Sequence, residues 1–179
     1  MERCGLDRLE EMKEYLGQEK AQLLMQRMEE AGRRFGDKGC GCKADLEVII
    51  KGLAMGRAEG SVVIASLRSG YITGDGEFYV AYYAGPPFVE EEPDSVCYSM
   101  KELLHGVEQD LENMNGKLRQ KFIRIMASEQ EEIRRWYMDE IYRRMGGVFR
   151  KEWGNREKEG QVDIFYGNYM DSVERVGQV

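Results

Sequence analysis

Cys40 and Cys42 stand on either side of one glycine in the run GDKGCGCKAD, residues 36–45. Two thiols at that spacing could ligate a soft metal, form a redox pair or supply a nucleophile. Cys42 fits the last role best: it falls just before a predicted helix, whose N-terminal N–H groups favour a thiolate, and Lys38 and Lys43 are near it in sequence. To complete a metal site the chain offers Cys4, Cys97 and its single histidine, His105. Structural zinc needs four ligands, usually as two closely spaced pairs, and a second pair is missing. A nucleophile needs a base within hydrogen-bond reach and a group to orient it. Cys97 with His105 is the one such pairing on offer. The plainer reading is that Gly39 and Gly41 shape a corner between two helices while the thiols fill space as small apolar groups. Neither a metal nor a cofactor is therefore expected. Cys42, Cys40 and His105 are the weak catalytic candidates, and Cys40, Cys42, Cys97 and His105 the weak metal candidates.

Other motifs are missing or incomplete. No G-x-S-x-G elbow or phosphate-loop lysine motif occurs, and GYITGDGEF reads as a turn, since Gly and Asp supply positive φ in hairpin connections. The acidic run at Glu90 to Glu92 reads as a solvated loop.

The elements that would hold these residues follow from periodicity. Leu9, Met12, Leu16, Leu23, Leu24, Met28 and Ala31 recur at helical spacing, predicting an amphipathic helix from Leu6 to Phe35, with Asp7 and Glu10 as a capping box and Gly36 as its stop. Leu46, Ile49, Ile50, Leu53 and Ala54 predict a second helix with Asp45 as N-cap. SVVIASLRS and EFYVAYYAG, joined by a Gly/Asp-rich link, predict a hairpin over about 61–84. Neither face of its second strand is plainly polar, so that strand should be covered on both sides or lie centrally. A short edge strand is placed around Val96 to Tyr98. Ser99 with Glu102 suits a capped start for a long helical segment through Val148, which either bends or splits at Asn115-Gly116 or at Ser128 with Glu131. QVDIFYGNYMDSVERV predicts a last hairpin over about 161–175, turning at Gly167-Asn168.

The fold class is thus α+β, an antiparallel sheet packed against long amphipathic helices, in a single domain spanning 1–179. A charge-rich N-terminus and the lack of any long apolar run point to a soluble, cytoplasmic protein without membrane association. Net charge is −7, which weighs against nucleic-acid binding. It is unevenly spread: residues 86–112 hold eight acidic and one basic residue, residues 117–151 ten basic and five acidic.

The expected function is that of a non-enzymatic protein–protein interaction module, of adaptor, chaperone-like or inhibitor-like type, binding a protein partner or itself. Its candidate surfaces are Tyr79, Tyr82 and Tyr83 of the aromatic strand and the long helix. The alternative is a thiol-dependent enzyme or a redox or metal sensor built on Cys40 and Cys42. A third reading is a basic face around Arg134, Arg135, Arg143 and Arg144 that binds an acidic ligand.

Overall fold

The computed structural model describes residues 3–57, 59–89, 94–154 and 162–178. Helix α1 (Arg3–Gly36) is followed by α2 (Cys42–Ala54), β1 (Gly60–Ser66), the single turn α3 (Gly70–Thr73), β2 (Glu77–Tyr83) and β3 (Asp94–Ser99). A 3₁₀ turn (Lys101–Leu104) then leads to α4 (Val107–Lys121), α5 (Ala127–Trp153), β4 (Val162–Asn168) and β5 (Val173–Gln178).

Helix α1 buries the stripe its sequence announces, with Met12, Leu16, Leu24, Ala31 and Phe35 all in the core. It begins at Arg3, so Asp7 lies inside the helix and does not cap it. Helix α2 is entered through Gly41 at φ 75°, a left-handed conformation that suits glycine. Cys42 is consequently its first residue, and Asp45, expected as the N-cap, falls in its first turn.

The long helical segment divides close to the second of the two expected places and not at the first. Helix α4 passes through Asn115 and Gly116 unbroken, because Met114 and Leu118 on either side are buried and hold it on course. The chain leaves helical geometry at Phe122, whose ring packs edge-on against Tyr15 of α1 with centroids 6.3 Å apart. At the start of α5 the Met126 N–H donates to the Glu129 carboxylate at 2.8 Å, the side-chain-to-backbone half of a capping box. That start is a little earlier than Ser128 and Glu131 implied. Likewise Ser99 does not cap a helix: its hydroxyl donates to the Asp75 carbonyl, and Gly106, at φ 84°, separates the 3₁₀ turn from α4.

The sheet order is β3-β2-β1-β4-β5. Both expected hairpins form, β1 with β2 and β4 with β5. They join through β1 and β4, which run parallel from Gly60 opposite Val162 to Ser66 opposite Asn168. The sheet is therefore mixed, because a parallel neighbour requires a crossover and the 3₁₀ turn, α4 and α5 supply one. The last hairpin turns later than expected: Gly167 and Asn168 still belong to β4, and the connection spans 169–172, with Met170 at φ 58°. Gly167 is needed as a strand residue, since a Cβ there would overlap the Ser172 carbonyl. The hairpin extends to Gln178, and residue 161 lies outside the described residues.

One face of the sheet carries Val62, Ile64, Phe78, Val80, Tyr82 and Ile164 into the main core beneath α1, α2, α4 and α5. Phe35 of α1 meets Phe149 and Trp153 of α5 edge-on, at 4.9 and 5.3 Å between centroids, tying the helical layer together. No described helix is long and apolar enough to cross a membrane.

Candidate functional site

The cysteine corner comes first, because the sequence points there. Gly41 brings the sulfurs of Cys40 and Cys42 to 3.3 Å, with Cys40 half-buried and Cys42 buried. Burial pushes the Cys42 thiol up to about 12, and the neighbouring Cys40 thiol and the Glu102 and Asp45 carboxylates act the same way. Its position at the start of α2 does not offset these effects, and Lys43 is committed to Glu152 at 2.6 Å. Cys42 is thus held as a thiol at neutral pH, the opposite of an activated nucleophile.

The other sulfur and nitrogen donors lie elsewhere. Cys97 is exposed on β3, opposite Tyr79 on the face away from the helices. His105 is exposed beyond the 3₁₀ turn, its Nδ1 3.5 Å from Glu30 Oε1 on α1. Among the described residues no three of the His, Cys, Asp and Glu side chains gather in a way that could hold a metal ion. The side chain of Cys4 lies outside the described residues.

Arg134, Arg135, Arg143 and Arg144 of α5 are paired within the fold. Arg134 donates to the Tyr71 carbonyl at 2.9 Å and to Glu108 at 2.8 Å, and Arg135 meets Glu132 at 2.9 Å. Arg143 and Arg144 both hold Glu140, whose carboxyl is lowered to about 2, chiefly by the hydrogen bond from Arg143. Arg143 and Arg144 share one carboxylate, so the four arginines are only partly offset by three acids.

The tyrosine strand divides by its alternation. Tyr82 faces the helices, fully packed, its hydroxyl donating to the Glu59 carbonyl and the Arg57 guanidinium lying 4.3 Å from its ring centre. Tyr79 and Tyr83 face the other way. There Val63, Ala65, Ala81 and Tyr83 form a second buried cluster, flanked by Tyr79, Phe165, Val173 and Phe88. Tyr82 and Tyr83 are each 2% exposed, so both are core residues in place of the surface contacts expected of them, whereas Tyr79 is half-buried. Strand β2 is covered on both sides, as its composition implied.

No apolar helical side chain among the described residues joins this second cluster. Its cover is a loop and a turn. Phe88, at φ 62°, sets its ring 5.5 Å from Tyr83, and Tyr169 stands 4.9 Å from Tyr79 and 6.4 Å from Phe88, all edge-to-face. Val89 beside Phe88 is 73% exposed and Tyr169 is 42% exposed. The outcome is a small apolar platform, aromatic at its rim, outside the helical layer. Phe88 and Tyr169 were not anticipated, the first because it sits in a Pro- and Glu-rich run, the second because the turn was expected earlier. The available signal was SVVIAS, apolar on both faces and so demanding two covers.

A further cleft of about 650 Å³ opens at the carboxyl ends of the parallel strands β1 and β4. Ser66 donates to Asn168 there at 2.8 Å, and the Tyr71 hydroxyl stands 3.5 Å from both Asn168 and Asp139. The Lys20 ammonium sits 3.8 Å above the Trp136 ring. Lys13, Arg68 and Arg135 face Glu132, Asp139 and Asp171 in its lining, a balanced set that selects no charge class. Burial, then Asp139, raises the Tyr71 phenol, so it is a hydrogen-bond donor and no base. These residues come from four separate segments and no local motif unites them.

Comparison of the chain with protein-family models, with curated proteins and with solved structures finds no match in any of the three.

Proposed function

We propose that this chain is a non-enzymatic protein-binding module that works through the helix-free face of its sheet, in a cytoplasmic setting. The observation that carries the reading is the second apolar cluster, covered by Phe88 and Tyr169 where a helical layer would ordinarily lie, with exposed Val89 and Tyr169 at its rim. Apolar surface grouped in this way is what partner proteins bury. The free thiols of Cys40 and Cys42 suit a reducing compartment, and a net charge of −7 disfavours polyanions.

The test uses a tagged chain, Phe88→Asp and Tyr169→Asp. Circular dichroism and thermal melts establish that both variants fold. A partner retained in stoichiometric amount by the wild type, and lost by both variants, is the expected outcome. A retained set that neither substitution changes would sink the reading.

A thiol-based reading has one observation in its favour, the 3.3 Å between the Cys40 and Cys42 sulfurs. A small-molecule disulfide would oxidise the pair: one S–S bond forms between them, the reagent's S–S bond breaks, and two reagent thiols leave with both protons. Mass spectrometry after such treatment reads it directly. A chain that loses no hydrogens, or forms only mixed disulfides, excludes the sensor.

A further inference from the structure

The two edges of the sheet are built differently. At β5 the pairing with β4 slips in register between Ile164 and Phe165, and Glu174 and Arg175 stand exposed on the strand, Arg175 reaching across to Asp163. Irregularity and charge of this kind keep a native edge from pairing with other chains. Strand β3 has no register slip, and its one charged side chain, Asp94, stands at its start. It runs in unbroken register with β2, from Asp94 opposite Tyr82 to Ser99 opposite Glu77, and its sequence DSVCYS contains no lysine, arginine or proline. Apart from the half-buried Tyr98, every residue of β3 is exposed. Among the described residues no strand pairs with the N–H and C=O groups that turn away from β2.

The surroundings of this edge are acidic. Asp94 begins the strand, Glu77 is exposed opposite its end, Asp45 accepts the Tyr98 hydroxyl at 3.1 Å and Glu102 follows at 63% side-chain exposure. Arg57 pairs with Asp94, Arg34 reaches Glu102 at 3.4 Å and exposed Lys101 adjoins the strand's end, so the four carboxylates exceed the cations by one. On the side of the sheet facing the helices, Val96 is 38% exposed and gives an added strand one apolar contact.

We infer that β3 accepts an extended basic peptide of a partner protein as a sixth strand of the sheet. Backbone hydrogen bonds supply the pairing, Val96 an apolar register point, and the acidic flank the preference for lysine or arginine. This rests on the protein-binding reading and names the class of partner.

The experiment takes the full chain and a fluorescent synthetic peptide alternating valine with lysine. Saturable binding by anisotropy is expected, with slowed amide exchange in residues 94–99. Methylating alternate peptide backbone nitrogens, exchanging lysine for glutamate, or introducing Ser95→Lys into the folded chain should each weaken binding by at least about tenfold. Equal binding of the methylated or glutamate peptide, protection confined to another segment, or β3 protected by dimerisation without peptide would each overturn the inference. If the peptide fails to bind β3 while Phe88→Asp and Tyr169→Asp still lose a retained partner, strand addition alone falls. If the peptide binds β3 and those variants lose nothing, the reading of the helix-free face falls.

Discussion

Arg27 of α1 and Asp110 of α4 form a buried two-pronged pair, Nε 2.7 Å from Oδ2 and Nη2 3.2 Å from Oδ1. Asp110 also accepts the Tyr137 hydroxyl of α5 at 2.6 Å, while Arg27 reaches Glu30 at 2.6 Å and the His105 carbonyl at 3.2 Å. One guanidinium thus ties α1 to the 3₁₀ turn and α4, and through Asp110 to α5. Arg27→Leu should destabilise the fold by about 3–5 kcal/mol, because Asp110, 1% exposed, is left as a buried charge without its cation. The double variant Arg27→Leu with Asp110→Leu should recover much of that loss. Urea unfolding of the four members of the cycle measures it, and purely additive losses would contradict the pairing.

Gly106 and Gly116 should respond to alanine with opposite signs. Gly106 lies at φ 84°, and a Cβ there would overlap the Arg27 guanidinium, which Asp110 and Glu30 hold in place. The left-handed backbone alone costs alanine about 1–2 kcal/mol, and displacement of Arg27 adds to it. Gly116 lies within α4 with nothing within 4 Å of the same added atom. Alanine there should stabilise by about 0.5–1 kcal/mol. Thermal melts of the two variants decide it, and a shift in the same direction for both would be evidence against this placement of the chain.

The elements were legible where periodicity is local. Helix α1 and both hairpins announce themselves through stripes and alternation, and the two-sided apolarity of EFYVAYY correctly implied cover on both faces. Long-range relations left no such trace. The parallel seam between β1 and β4 depends on how α4 and α5 return the chain, and Arg27 and Asp110 lie 83 positions apart with ordinary neighbours. The break at Phe122 carries neither glycine nor proline, and the contact its ring makes, with Tyr15, is distant in sequence. Cys42 misled for a related reason. Its helix start and nearby lysines are local and favour the thiolate, whereas burial and the Glu102 carboxylate, which oppose it, come from the fold.

Thiol labelling should follow that reversal. Cys97, exposed on β3, is expected to react first with iodoacetamide, and Cys42 to stay protected at neutral pH until denaturant is added. With its thiol pushed up to about 12, Cys42 should carry only a trace of thiolate in the folded chain even at pH 9 and so remain slow to label there. Peptide mapping of labelled sites over time provides the measurement. Fast labelling of Cys42 in the native protein would revive a nucleophilic role.

Acid should erase one stabilising contact before the main core fails. Glu140 is lowered from 4.5 to about 2, first through the Arg143 hydrogen bond and with Arg144 adding to it. A carboxylate whose folded value is depressed contributes stability that is complete above its unfolded value and is lost as pH falls from about 4.5 toward 2. Arg143 and Arg144 are 67% and 49% exposed, so solvent screening limits the contribution to below about 1 kcal/mol. At neutral pH Glu140→Gln should therefore be less stable than wild type by that small margin. The two proteins should converge as pH falls toward 2, because the wild-type carboxyl then binds its proton and resembles the amide. Urea midpoints for both chains at neutral pH and near pH 2 test this, and a gap that stays constant or widens on acidification would place the stabilisation elsewhere.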